Sequence, residues 1–403
     1  MKSMKMKIQF QKGLTLVELL IASFLGVLLT GVIGAMYITS TQGFRSTNEL
    51  SRVQENTRFA LHFLQQSIRE VGFSACGEET KDYSFLLDSF NSTVGGGLIG
   101  YEFAGTAAGE TFNLTYEDLN SESTNADVTA ARASNAGALA NWTSMPGVPV
   151  LDQIVNDFSP MRGSDIIAVT TEQSEPDMQV TGSNANRLNV TLLNGAEALP
   201  QGSIVKVGNC FERNIFVKGN AGANLNSNNG AANVNNIDAG SRPPANNPLS
   251  KAWPAGTTVY SDITRIFYVG TGTSGIPSLF VYESLCGFLT AADGCLENAV
   301  SNELVEGVES MQVMYGVDGD DDGVAERYVP ADEINSVAGA NDFNDVVNVR
   351  IALLMRSNEL SEVLDAGKTF ALSDVVNITP IDKGVLRYVS NATIELRSRG
   401  ENR

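Results

Sequence analysis

One apolar run near the N-terminus limits what this chain can become. Residues 14–38, LTLVELLIASFLGVLLTGVIGAMYI, carry a single charge, Glu18. A helix rising 1.5 Å per residue spans roughly 37 Å over that run, enough to cross a hydrocarbon core of about 30 Å. The preceding residues 1–13, MKSMKMKIQFQKG, hold four lysines and no acid. That asymmetry keeps the short leader in the cytoplasm and sends the rest of the chain outward. A cleaved secretory signal has an apolar stretch of about 7–15 residues and a small-residue cleavage site, neither of which fits. A plain anchor explains the length but not Glu18, since a carboxylate in a spanning helix costs about 2.5–3.5 kcal/mol and normally has a partner. Cleavage after Gly13 would create one, because the new amine of Leu14 on a neighbouring chain can neutralise Glu18.

The helical period continues beyond the apolar run. Leu50, Val53, Ala60, Leu61, Leu64, Ile68 and Val71 recur largely at spacings of three and four, and Arg52, Glu55, Gln65, Gln66, Arg69 and Glu70 take the other face. Gly72 is a natural stop. The pattern predicts one long helix, with residues 14–38 crossing or assembling in the membrane and 39–72 packing on a body at 73–403. An independent coiled coil is disfavoured, because the stripe lasts only about three heptads.

The body reads as strands. Candidates lie at 164–171, 187–193, 203–208, 214–218, 259–269, 278–283, 311–317, 346–356 and 386–397, and in 346–356 Val347, Val349, Ile351 and Leu353 alternate with Asn348, Arg350, Ala352 and Leu354. No regular strand–helix alternation appears, so a doubly wound fold is disfavoured. The expected class is α+β, a long helix on an antiparallel sheet. Residues 220–248, rich in Asn, Gly and Ala, read as a mobile loop, and 120–147 as a milder case.

Composition narrows the chemistry. With 27 Lys and Arg against 46 Asp and Glu, the net charge of −19 argues against nucleic acid as a partner. His62 is the sole histidine, which removes most acid–base and metal chemistry. It sits on the amphipathic helix with no nucleophile motif nearby. Gly270-Thr-Gly272-Thr-Ser-Gly275 imitates a dinucleotide fingerprint, but a second strand rather than a helix follows, so a hairpin loop is the reading. No catalytic residue emerges, and the chain is not expected to be an enzyme.

Four cysteines, Cys76, Cys210, Cys286 and Cys295, lack the paired spacing of a zinc site. Outside the cytoplasm disulfides persist. Of the three possible connectivities, Cys286–Cys295 and Cys76–Cys210 are expected. Asp318, Asp320, Asp322, Gly323 and Glu326 copy the opening of a Ca²⁺ loop, with alternate carboxylates before a glycine. The twelfth place is Val329 instead of a bidentate Glu, and strands flank the turn. A Ca²⁺ site and a solvated acidic turn both remain open. No other cofactor is implied.

KGLTLVELLIA resembles the type IV prepilin motif. That resemblance implies cleavage after Gly13 by a prepilin peptidase, N-methylation of Leu14 and an assembly role for Glu18. Leu14 stands where Phe is commoner, and the membrane helix has no proline, which leans towards a minor subunit. Further along, 54–77, GSDIIAV at 163–169, VGNCFERNIFVKG at 207–219, 303–329, 346–357 and 386–399 resemble blocks of the PilW family of minor pilins. A pilin-like fold is then implied, with a subunit that promotes pilus assembly near the filament tip and hence twitching motility and adhesion. Its implied partners are the major pilin, other minor pilins and a tip adhesin. It would sit in the inner membrane with its body in the periplasm, then at the cell surface in the pilus. The alternatives are a type II secretion pseudopilin of the J kind and a membrane-tethered adhesin or enzyme.

Overall fold

The computed structural model describes residues 15–72, 81–84, 97–106, 109–114, 142–146, 148, 160–173, 178–184, 187–193, 198–227, 249, 252–285, 300–338, 340, 342–358, 368–373, 376–380 and 385–397. Two units divide the chain, one up to Arg52 and one from Val53 onward.

The described part of the first unit is helical. Helix α1 (Leu16–Arg69) begins here and runs on without interruption into the second unit. Its apolar residues, among them Leu20, Phe24, Leu28, Val32 and Met36, stand exposed, as they must if their solvent is lipid or other helices. Thr30, Thr39, Thr41 and Thr47 return their hydroxyls to carbonyls one turn back, so these polar groups are satisfied within the helix. Among the described residues this is the one helix long and apolar enough to cross a membrane.

In the second unit α1 contributes one buried stripe. Val53, Ala60, Leu64, Ile68 and Val71 enter the main core, while Leu61 is half-buried and Leu50, in the first unit, is exposed. The helix stops where expected: Val71 N–H closes a tighter turn on the Ile68 carbonyl, and Gly72 takes a φ of 71° that a side chain would disfavour.

Strands follow in this order: β1 (Lys81–Ser84), β2 (Leu98–Phe103), β3 (Thr111–Leu114), β4 (Trp142–Thr143) and β5 (Ile166–Glu172). Next come β6 (Met178–Asn184), β7 (Arg187–Leu192), β8 (Ile204–Asn209), β9 (Glu212–Val217) and β10 (Leu225–Asn226). Then β11 (Thr258–Thr271), β12 (Pro277–Ser284), β13 (Val300–Glu306), β14 (Val308–Val317) and β15 (Arg327–Val329). The last described are β16 (Val346–Arg356), β17 (Phe370–Leu372), β18 (Val376–Pro380) and β19 (Arg387–Glu395).

Three sheets result. The largest runs β1-β9-β8-β11-β5-β2-β4, with β12, β13, β6, β7 and β10 attached as branches. Long β11 makes the branching possible by changing partners along its length: Thr258–Ser261 pair with β8, and Asp262–Phe267 with β5. At that switch a buried ion cluster closes the gap. Lys206 reaches Asp262 at 2.7 Å and Glu172 at 3.2 Å, and Arg213 reaches Glu172 at 2.9 Å. The second sheet, β15-β14-β16-β19, is antiparallel, and the third is β17-β18-β3.

Pairing is mostly antiparallel, as the sequence predicts, but β1 joins β9 and β3 joins β18 in parallel. Each of these pairs links segments distant in the chain, which no local pattern announces. Strand 346–356 has the expected bounds, but its alternation, which predicts cover on one face, belongs to a strand buried on both. Val349, Ile351 and Leu353 face the main core, while Ala352 and Leu354 enter a second core with Phe370, Leu372, Val376 and Ile378. The small third sheet therefore covers the other face of β16. A third core, around Met178, Val207, Phe216 and Trp253, supports the β6–β7–β10 branch. Leu225 is buried there in β10, and Trp142 in β4, so parts of the two expected loops supply strands. The remainder of 220–248 from residue 228 lies outside the described residues.

Candidate functional site

Three places hold the residues singled out from the sequence: the start of α1, the acidic turn after β14 and the β8–β9 hairpin with its cysteine. Gly13 and Leu14 lie outside the described residues. Thr15 and Glu18 form a reciprocal cap at the helix start. Glu18 Oε2 accepts from the Thr15 N–H at 3.0 Å and from the Thr15 hydroxyl at 3.1 Å, and the Thr15 hydroxyl accepts from the Glu18 N–H at 3.2 Å. This is the T-x-x-E capping box, which satisfies helix donors that have no intrahelical partner. Glu18 is exposed, and both contacts to its carboxylate use Oε2.

The acidic turn is ordered by its own backbone. Asp318, buried at the end of β14, accepts from the N–H groups of Asp322 at 3.3 Å and Gly323 at 2.8 Å. Glu326 accepts from the Gly319 N–H at 2.7 Å and gives its own N–H to the Val317 carbonyl. Asp321 and Gly323 adopt positive φ, of 62° and 84°, which turns the chain back into β15. The result gathers Asp318, Asp320, Asp322 and Glu326, which each offer one carboxylate oxygen within 4.8 Å of the others. The crowding has an electrostatic cost. The Asp322 charge, and behind it the Glu326 charge, push the Asp320 carboxyl above its ordinary range. An all-oxygen set of this kind fits a hard cation such as Ca²⁺, which would neutralise that repulsion. Val329 is buried in β15 against Tyr315, so the twelfth place gives no ligand, as its residue type requires.

Cys210 sits in the exposed turn between β8 and β9 and is disulfide-bonded. Asn209 Oδ1 fixes that turn by accepting from the N–H groups of Phe211 and Glu212, each at 3.0 Å. Cys76, Cys286 and Cys295 lie outside the described residues, so the partner of Cys210 does too. The register of β1 on β9 starts with Lys81 opposite Glu212, two residues beyond Cys210.

Two features escaped the sequence. Gly270–Gly275 is a hairpin tip as expected, but Glu303 on β13 holds it, accepting from the Thr273 N–H at 3.1 Å and the Ser278 hydroxyl at 2.7 Å. In the PilW-like blocks, Glu309 and Arg387 form a bidentate pair at 2.7 and 2.9 Å with both side chains fully buried. Their partners come from β14 and β19, almost eighty positions apart, and only the shared neighbour β16 brings them together. His62 is exposed on α1 beside Phe63.

A family model described as Type IV Pilus-assembly protein W matches residues 266–398. The match likens that stretch, less than half of the chain, to the PilW family. It covers the last part of β11, from Ile266 on, then β12 through β19, and so includes the acidic turn and the Glu309–Arg387 pair. The match points to a role in type IV pilus assembly, and to a structural or assembly protein rather than an enzyme. Together with the apolar helix it fits a membrane-anchored protein whose partners are other pilus components. No curated protein and no solved structure matches the chain significantly.

Proposed function

We propose that the chain is a minor type IV pilin, a subunit that promotes filament assembly near the pilus tip and thereby supports twitching motility and adhesion. The observation that carries this reading is the coincidence of two independent signals. A basic leader, Gly13 and Glu18 open an exposed apolar helix at one end, and a PilW-family stretch forms the strands at the other. On this reading prepilin peptidase cuts after Gly13 and Leu14 is methylated. Before assembly the apolar half of α1 lies in the inner membrane with the body in the periplasm. After assembly the helix passes into the filament core beside the major pilin and other minor pilins, and the body reaches the cell surface, where a tip adhesin can dock.

The mechanism is physical. An apolar helix leaves lipid for a bundle of like helices with little change in solvation, so register must come from something else. Glu18 supplies it by pairing with the amine of a neighbour's Leu14, because a carboxylate left without a partner in an apolar bundle is costly. Support comes from the cap itself, which engages Oε2 of an otherwise exposed Glu18 at the start of the helix. In the same proposal Ca²⁺ occupies the turn of Asp318, Asp320, Asp322 and Glu326, and the disulfides are Cys76–Cys210 and Cys286–Cys295. Support for the Cys76–Cys210 pair is the parallel register that starts β1 next to the Cys210 hairpin. Deleting the gene and counting surface pili tests the function: few or no pili, restored by the intact gene, is expected, and unchanged piliation with unchanged twitching rejects it.

A further inference from the structure

Where β2 meets β5, two carboxyls face each other with no cation from the described residues between them. The register that places Tyr101 opposite Ile166 brings Glu102 opposite Asp165. Both are buried, and neither forms an ion pair with a Lys, Arg or His among the described residues. Glu102 accepts from the Thr106 hydroxyl at 3.1 Å. Asp165 does more: Oδ1 accepts from the Phe103 N–H at 3.1 Å, and Oδ2 from the Val313 N–H at 2.8 Å. Phe103 is on β2 and Val313 on β14, so one carboxylate spans two different sheets.

The contacts beside Asp165 reinforce the same joint. Its N–H donates to the Met311 carbonyl at 2.8 Å, and the Ser164 hydroxyl accepts from the Met311 N–H at 3.1 Å. The Ser310 hydroxyl and the Gln312 amide both donate to the Gly163 carbonyl, at 2.7 and 3.0 Å. Gly163–Asp165 thus works as a strap from the first sheet onto β14.

Among the described residues, the other titratable groups acting on the pair are neutral or acidic. Asp332 accepts from the Thr143 hydroxyl at 3.2 Å and adds a third carboxylate nearby. Tyr101 lies on β2 next to Glu102, and burial raises its phenol. From β14 comes Tyr315, whose buried hydroxyl has no hydrogen-bond partner and lies over Gly100, where a Cβ would collide with it. Burial pushes the Glu102 carboxyl up, and the Asp165 charge adds to the effect. Burial also pushes Asp165 up, while the Phe103 and Val313 N–H groups hold it down. Two opposed, desolvated carboxylates cannot both ionise without strong repulsion.

We propose that Glu102 and Asp165 share one proton, with a neutral Glu102 donating to an ionised Asp165, and that this pair is a pH-linked clamp holding the β14 sheet on the β2–β5 sheet. The proton comes from solvent and returns to it. When it leaves, two negative charges oppose each other across the joint, and the strap at Gly163–Asp165 loosens from β14. The sign follows from linkage. The folded pair binds protons that the unfolded chain has already released above about pH 4, so stability is greatest in acid and falls as pH rises through neutrality.

The test uses the full chain in detergent micelles, with Glu102→Gln as the variant, since its amide still donates to Asp165 but does not titrate. Thermal midpoint and hydrogen exchange at the Val313 amide are followed from acid to alkaline pH. The wild type should lose midpoint and Val313 protection as pH rises, the protection by up to about tenfold per pH unit, the limit for one linked proton. Glu102→Gln should be flatter in both and the more stable form above neutrality. Equal slopes in wild type and variant overturn the clamp. A measurement on the wild type alone covers the case of a variant that does not fold. With carboxyl-labelled Glu, infrared spectra at neutral pH should show one protonated Glu carboxyl that disappears in alkali, and its absence overturns the shared proton.

Discussion

Glu18 and Thr15 hold each other at the first turn of α1, the carboxylate taking both the N–H and the hydroxyl of Thr15 through one oxygen, at 3.0 and 3.1 Å. The side chain therefore has a local task before any neighbour arrives. The helix cap uses Oε2, and the proposed pairing adds an amine from another chain to the same carboxylate. The two tasks make different demands on chemistry: the cap needs an acceptor, whereas the pairing needs a charge.

That difference predicts how two substitutions separate. Glu18→Gln retains the capping box, in which Gln serves as well as Glu. Glu18→Val removes both functions. If Glu18 acts through charge, both variants should be cleaved normally and both should be absent from sheared pili. If the cap alone matters, Glu18→Gln should enter pili like the wild type. Immunoblots of pilus and membrane fractions distinguish the outcomes.

The acidic turn predicts a metal response. Ca²⁺ should raise the thermal midpoint of the full chain in detergent and release heat on titration, whereas Mg²⁺, which demands a tighter octahedral shell, should do less. Replacing Asp320 and Asp322 by Asn removes two of the four gathered carboxylates and should abolish the response. It should also slightly stabilise the metal-free chain, because the repulsion on Asp320 is relieved. No Ca²⁺-dependent heat or shift in the wild type at millimolar Ca²⁺ rejects the site.

Cysteine connectivity is open to direct mapping. Non-reducing peptide mapping should recover Cys76 joined to Cys210 and Cys286 joined to Cys295. The second bridge closes a short loop, for which the chain-entropy estimate is about 3 kcal/mol. Cys286→Ser with Cys295→Ser should cost about that much in denaturant titration. Recovery of Cys210 joined to Cys286 or Cys295 contradicts the assignment.

Glu309 and Arg387 form a fully buried bidentate pair, with the Arg356 guanidinium also within 3.7 Å of Glu309. Removing Arg387 deprives the buried Glu309 carboxylate of its bidentate partner and leaves it the longer contact with Arg356. Arg387→Met should therefore cost about 3–5 kcal/mol. Adding Glu309→Leu should recover part of that loss, although Arg356 then loses its contact with Glu309. Denaturant titration of the three chains checks both steps. A double variant no better than Arg387→Met alone contradicts the account.

Much of the architecture was legible because it rests on local periods. The stripe Val53, Ala60, Leu64, Ile68 and Val71 marks a buried helix face, and the alternation at 346–356 marks a strand, since both signals come from residues a few positions apart. What stayed hidden depends on distant partners. Nothing near Asp165 announces that it meets Glu102, or that its other oxygen caps Val313, because the sheet register decides both. Glu309 likewise looks like any strand acid until β16 carries Arg387 beside it. Short β10 hid within an Asn-rich stretch, because a two-residue strand with one buried leucine is too brief for any pattern. At the acidic turn the spacing foretold the convergence of four carboxylates, since their alternation and the glycine belong to one continuous segment.

The central claim is that α1 is the assembly helix of a processed pilin, and the mature N-terminus tests it most directly. Mass spectrometry of the N-terminal peptide from membrane or pilus fractions should find a chain that starts at an N-methylated Leu14, with residues 1–13 gone. A mature protein that still carries Met1 to Gly13 would contradict the account, since the amine that Glu18 is proposed to meet would not exist.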